Sequence, residues 1–364
     1  MQKKWPDFRF TAEETAGAVG DFGTLFPIIM AVAVISGMEL GPILLFMGIA
    51  YIITGLYYKL PMPVEPMKSI GAVAIAGGLS QAEIVSAAMM MGIILLILSY
   101  TGWMSRFKSE IPEWLIRGIQ LGLSFILLEQ AVVFIVGDLY LGLIATAVII
   151  AFIFLPFKDI SSLLVLALGL LIGFMELGYI PIHIADLPQL YIPPAEAWLP
   201  GLLRGVFPQL PLTIANAVLA TSLIIDDLFA KKVPEEKLLK TMGFYCLFFS
   251  PFGAFPMCHG SGGLAAQYRF GARTGGSNII SGVIILIMGL FFASPQLLEF
   301  FPYGVLGALL VFSALQMLKS GKESNRPLLS LSTAVIAFFA DIGIAFLVML
   351  AFIILSRFFR QQAE

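Results

Sequence analysis

Pro61-Met-Pro-Val-Glu65-Pro-Met-Lys68-Ser-Ile70 breaks an otherwise apolar chain with three prolines, a carboxylate and an ammonium. Proline brings no N–H and disfavours helix in the residue before it, so the chain up to Met67 is predicted to be extended or irregular. A helix can then start near Met67, in the middle of an apolar region. A second break lies at Pro256-Met-Cys-His259-Gly-Ser-Gly-Gly263, leading into Leu264-Ala-Ala-Gln267-Tyr268. Its glycines let main chain approach a ligand closely. The dipeptides Pro61-Met62 and Pro256-Met257 stand 195 residues apart. Paired interruptions in corresponding halves of a membrane chain point to the binding site of an inverted-repeat transporter.

The surrounding sequence makes this a membrane chain. Of its 364 residues 59% are apolar and 12% charged, where a soluble domain carries about 25% charged residues. Apolar stretches near the ~20 residues that cross a hydrocarbon core fall at 17–36, 42–58, 84–101, 113–135, 139–156 and 160–177. After a polar stretch at 178–204 they recur at 206–228, 241–255, 277–294, 303–318, 327–341 and 343–357. With the interrupted segments 62–79 and 256–272 this makes fourteen.

The basic residues orient them. If Lys3, Lys4 and Arg9 are cytoplasmic and every segment crosses, the same side receives Lys59, Arg106, Lys108, Arg117 and Lys158. From the second half it receives Lys231, Lys232, Lys237, Lys240, Arg269, Arg273, Lys319, Lys322, Arg326, Arg357 and Arg360. Arg204 alone falls outside, and Lys68 alone within the membrane. By the positive-inside rule this predicts an integral protein of the cytoplasmic membrane with both termini cytoplasmic. An odd number of segments per half inverts the second half. The expected fold is an all-α polytopic membrane protein, a 7+7 inverted repeat over 1–178 and 205–358 with half-helices at segments 3 and 10.

Half-helix starts expose N–H groups and a partial positive charge, and two of them facing each other suit an anion. The expected binding residues at these starts are Met67, Lys68, Ser69 and Ile70, and Gly260, Ser261, Gly262 and Gly263. Lys68 either neutralises the anion or forms a structural pair with Glu65, three residues before it. Glu65 is read as protonated, paired with Lys68, or a proton-coupling group. Asp21 and Thr24, in the glycine-rich patch Gly17–Thr24, are candidates for the cavity wall, or mark tight helix packing. Asp21 is also a candidate for coupling. Asn216, in the first span of the second half, is a further candidate for binding. His259 is a candidate for coupling or a structural residue. Gln120 and Gln316 are expected to hydrogen-bond between helices.

Other chemistry is not indicated. Two cysteines and two histidines are too few for a disulfide framework or a metal centre. No nucleotide-binding loop and no nucleophile–base arrangement appears, so neither an enzyme nor a cofactor is expected. A net charge of −2 offers no basic surface for nucleic acid. The partners expected are a small inorganic oxyanion and the bilayer, with a homodimer left open.

Pro61–Ile70 and Cys258–Gly275, together with Gly17–Thr24 and Arg117-Gly-Ile-Gln-Leu-Gly122, resemble the molybdate transporter family, related to the SulP sulfate permeases. The resemblance implies a core domain of segments 1–4 and 8–11 and a gate domain of segments 5–7 and 12–14. An oxyanion (molybdate, sulfate or tungstate) would be held between segments 3 and 10 and carried by proton-coupled alternating access. The family usually has Gln where this chain has Glu65. Only about seven residues follow the last span, so the branch without a regulatory STAS domain is expected. Two alternatives share the architecture. A nucleobase–proton symporter would use acidic side chains from segments 8 and 10, where this chain offers Asn216 and glycines. An anion channel would conduct without a coupling gradient.

Overall fold

The computed structural model describes residues 6–104, 112–155, 160–178, 182, 184, 188–293 and 301–363. Lys3, Lys4, Arg106, Lys108 and Lys158 lie outside the described residues, as do the side chains of Arg357 and Arg360. The first helices are α1 (Ala12–Ser36) and α2 (Leu40–Tyr58), followed by strand β1 (Glu65–Pro66) and the short α3 (Lys68–Ile75). Next come α4 (Gln81–Thr101), α5 (Glu113–Gly137), α6 (Leu139–Phe154) and α7 (Ser161–Leu177). The second half holds α8 (Ala195–Phe229), α9 (Glu235–Phe248), strand β2 (Met257–Cys258) and α10 (Ser261–Phe270). It ends with α11 (Gly275–Phe292), α12 (Tyr303–Lys322), α13 (Pro327–Phe339) and α14 (Ile342–Ala363).

This is a polytopic helical membrane fold. Among the described residues seven helices are long and apolar enough to cross a bilayer. Large apolar side chains are exposed on these helices, such as Val136 and Leu223, and on the shorter α6 and α13, such as Leu143 and Phe339. Lipid is the solvent that tolerates such a surface.

Helix ends follow local chemistry. Ser80 caps α4 in a capping box with Glu83, and the Thr274 hydroxyl caps α11. Asp341 accepts the Gly343 N–H at the start of α14. The expected outer stretch 178–204 is shorter than predicted, because α8 begins at Ala195, directly after Pro193-Pro194. Arg204 lies within α8, 3.5 Å from Asp341. The helix widens into π turns at Gly201–Val206 and Thr213–Ala220, on either side of Pro208 and Pro211. A proline leaves a carbonyl one turn back without its N–H, and widened turns absorb such defects.

Packing relies on close backbone approach. A Cβ on Gly48 would lie 2.8 Å from the Gly282 carbonyl oxygen, and one on Gly55 would lie 2.7 Å from that of Gly275. Small residues let α2 and α11 touch main chain to main chain. Elsewhere α12 and α13 pack on α5, and α9 packs on α4.

The extended residues before α3 are tied down by side chains from the other half. The Asn278 carboxamide on α11 accepts the Met62 N–H at 3.0 Å and donates to the Met62 carbonyl and to the Thr54 hydroxyl. Asn278→Ala would strand both polar groups of a buried peptide. Its expected cost is about 2 kcal/mol, read as a lower thermal midpoint of the purified protein. An unchanged midpoint would deny the clamp its role.

Candidate functional site

The two interrupted segments meet. β1 and β2 pair antiparallel, with Glu65 opposite Cys258 and Pro66 opposite Met257. The Met67 N–H donates to the Pro256 carbonyl at 2.9 Å. This short ladder satisfies backbone that proline keeps out of a helix, and it brings the starts of α3 and α10 together. Neither start is capped by its own N-cap side chain, since Met67 and Gly260 make no such bond.

The expectation of wholly open helix ends is corrected. The Ser69 N–H donates to Gln209 Oε1 at 2.8 Å, and the Gly263 N–H donates to Glu65 Oε1 at 2.9 Å. Glu65 therefore occupies the N-terminal end of α10, where the helix dipole favours a negative charge. Its Oε2 lies 3.0 Å from Lys68 Nζ. Glu65 is fully buried, whereas the Lys68 side chain retains 20% exposure. The ion pair read as one alternative from the i,i+3 spacing is present, and the ammonium still reaches open space.

A second carboxylate stands behind this pair. Asp21 is fully buried, and its Oδ2 accepts from the Tyr51 hydroxyl at 3.1 Å. Among the described residues its Oδ1 has no hydrogen-bond partner. A Cβ on Gly263 would overlap Glu65 Oε1 and lie 2.7 Å from Asp21 Oδ1. Both carboxyl groups therefore rest on the bare main chain of Gly263. A Cβ on Gly260 would overlap the Glu65 carboxyl as well.

In front of the helix starts lies a cavity of about 260 Å³. Lys68, Glu65, Cys258, Ser261 and Gly262 line it from the crossing. Gln209, Thr213 and Asn216 line it from α8, Gln120 from α5, and Gln316, Lys319 and Ser320 from α12. The widened turn at Thr213–Ala220 carries Asn216, whose Oδ1 accepts from the Ser261 hydroxyl. The wall thus sets uncharged hydrogen-bonding groups and the apolar Leu212, Ala217 and Met317 around one ammonium–carboxylate pair and one further lysine.

Of the residues expected at the site, Lys68, Glu65, Asn216, Ser261 and Gly262 line this cavity. Met67, Ser69 and Ile70 are fully buried and do not line it. Gly260, Gly263 and Asp21 stand behind the wall, and Thr24 touches it through Gln316 at 3.5 Å. His259 is away from the cavity. Its Nδ1 lies 3.0 Å from the Pro63 carbonyl and its Nε2 lies 2.7 Å from the Thr241 hydroxyl. A carbonyl only accepts, so Nδ1 carries a proton and donates it to Pro63. The ring is a brace for the extended chain before Glu65.

Sequence reasoning did not single out Gln209, Thr213, Lys319 and Ser320; it expected Gln120 and Gln316 to hydrogen-bond between helices, which Gln316 does with Thr24, and not that both line the cavity. A glutamine inside an apolar helix was a visible signal. The face it presents was not, because α5, α8 and α12 meet here only through tertiary packing.

Residues 13–127 and 201–317 match the family described as "Molybdate transporter of MFS superfamily". Each stretch contains one of the two strand-and-half-helix units. Molybdate transporter 1 of Arabidopsis thaliana is 35% identical over 371 residues, covering 87% of this chain and 81% of that protein. In fold, the chain resembles the transmembrane domain of a cyanobacterium bicarbonate transporter, BicA, with a TM-score of 0.70 at 20% identity over 92% of this chain and 96% of that one. It also resembles the murine Solute Carrier 26 family member A9 anion transporter in the inward-facing state. There the TM-score is 0.68 at 14% identity, over 98% of this chain and 70% of that one.

Proposed function

The chain belongs to the molybdate transporter family, and on that basis we propose that it is a secondary transporter of molybdate or a like tetrahedral oxyanion, working by alternating access. One observation carries the reading. The cavity at the two facing helix starts offers two ammonium groups, amides and hydroxyls, and among the described residues Glu65, paired with Lys68, is the one acidic group that lines it. Such a lining suits an anion rich in acceptor oxygens. Where a nucleobase carrier would place acidic groups on segments 8 and 10, this wall presents Asn216, Ser261 and Gly262.

The finer architecture belongs to the same proposal. Fourteen segments cross the membrane as two inverted halves, 1–178 and a second half that starts with α8 at Ala195 and runs to 358, with both termini in the cytoplasm of a cell bounded by its cytoplasmic membrane. The core comprises segments 1–4 and 8–11, and the gate comprises segments 5–7 and 12–14. The packing supports this division, because the extensive contacts of α2 with α11 and α4 with α9 fall in one group. Those of α5 with α12 and α13 fall in the other. The cavity lies between the groups, lined by Gln120 and Gln316 of the gate and by the crossing of the core. Sliding of the gate past the core would expose it to either side in turn.

Proton coupling is assigned to Asp21 and Glu65. Both are carboxyl groups beside the Lys68 ammonium and against the main chain of Gly263, and they are the buried proton-exchanging groups at the crossing. The test is uptake of labelled molybdate and sulfate into proteoliposomes, with and without a pH gradient. Saturable, gradient-dependent uptake is expected. Lys68→Ala is expected to lower it about tenfold or more, as befits loss of a charged hydrogen-bond donor. Normal uptake in that variant would remove Lys68 from the mechanism. Nucleobase transport without anion transport would sink the whole reading, and ohmic current without gradient dependence would favour a channel.

A further inference from the structure

The charge in the cavity does not come from the residue that sequence favours. Its charged side chains are Glu65, Lys68 and Lys319. Glu65 and Lys68 form an ion pair at 3.0 Å and cancel. The two helix ends are partly spent, since the Ser69 N–H is taken by Gln209 and the Gly263 N–H by Glu65. Without another cation, a doubly charged anion would leave water for a nearly neutral pocket, which is unfavourable.

Lys319 meets that need. It sits on the last turn of α12, and among the described residues no carboxylate lies within ion-pair distance of it. It lines two spaces. One is the site cavity; the other is a vestibule of about 720 Å³ whose wall includes Arg269, Lys322 and Glu323. Gln316, one turn earlier on α12, also lines both. Lys319 and Gln316 thus stand between the two spaces.

Resting on the transport reading above, we propose that Lys319 is the cation that gives the oxyanion site its net positive charge and makes it select dianions over monoanions. The interaction of Lys319 with a ligand scales with ligand charge. Its loss therefore weakens a dianion by about twice as much in free energy as a monoanion of similar size. On a ratio scale, a tenfold loss for the dianion accompanies a loss of about threefold for the monoanion.

The experiment measures molybdate uptake by the full chain in proteoliposomes, with sulfate and nitrate as competing dianion and monoanion. Lys319→Gln is expected to raise the molybdate KM and the sulfate inhibition constant on the order of tenfold, and the nitrate constant by no more than about threefold. Lys319→Arg keeps the charge and is expected to stay within about threefold of wild type, which separates charge from folding. Lys322→Gln alters the vestibule alone and is expected to leave KM within about twofold. An unchanged KM in Lys319→Gln would overturn the proposal, as would equal weakening of nitrate and sulfate or an equal effect of Lys322→Gln. If wild-type protein carries no oxyanion at all, the transport reading fails and this inference with it. If wild type transports and only the Lys319 pattern is missing, the inference alone fails.

Discussion

Gly263→Ala is expected to abolish oxyanion uptake, while Gly262→Ala, one residue before it, leaves a working transporter. The two glycines face different surroundings. A Cβ at Gly262 has no neighbour within 4 Å, because it points into the open cavity. A Cβ at Gly263 would overlap Glu65 Oε1 and lie 2.7 Å from the Asp21 carboxyl. Neither group can yield freely, since Glu65 is held by the Gly263 N–H and Lys68, and Asp21 by Tyr51. The methyl must push Glu65 off the start of α10, which breaks the ion pair and moves Lys68. Displacement of a binding group by about an ångström costs about a hundredfold in rate for closely aligned sites, and that is the loss expected here. Gly262→Ala only narrows the cavity by a methyl and is expected to change KM by less than about fivefold. Uptake normalised to protein in the membrane checks the pair. Similar activity in the two variants would mean that the carboxyls do not rest on Gly263 in the working protein.

Glu65 is the position of the second large effect. Glu65→Ala leaves Lys68 without its counter-ion and the Gly263 N–H without its acceptor. Breaking a buried pair from one side costs about 3–5 kcal/mol. The low end applies, because Lys68 retains 20% exposure into the cavity and can recruit water. Removing both partners, in Glu65→Ala with Lys68→Ala, takes away the stranded charge and is expected to recover a large part of the stability. A thermal-denaturation double-mutant cycle measures the coupling, and simple additivity would refute a stabilising pair. Glu65→Gln separates stability from coupling. The amide oxygen can still accept from Gly263, so the helix start survives, while the titratable group is gone. Uptake is expected to persist and to lose its dependence on a pH gradient. Retained gradient dependence in Glu65→Gln would move the coupling proton to Asp21 alone.

Local chemistry makes much of this chain legible in its sequence alone. Apolar runs of membrane length need no partner to be recognised, because the bilayer imposes their length and every backbone group must bond within the helix. The prolines at 61, 63 and 66 and the glycines at 260, 262 and 263 announce irregular backbone for equally local reasons, a missing donor in one case and a missing Cβ in the other. The Glu65–Lys68 pair is readable from i,i+3 spacing, though not which alternative holds. The tertiary structure decided what those local features are for. It set β1 against β2, placed Gln209 on the Ser69 N–H across 140 residues and Glu65 on the Gly263 N–H across 198. It turned His259 and Asn278 into braces for the extended chain. It also took Lys319, which sequence alone assigns to a cytoplasmic basic belt, and set it on the wall of the cavity. A charge pattern along the chain reports which side of the membrane a residue occupies. Whether its side chain faces lipid, water or a bound anion depends on how helices far apart in sequence pack.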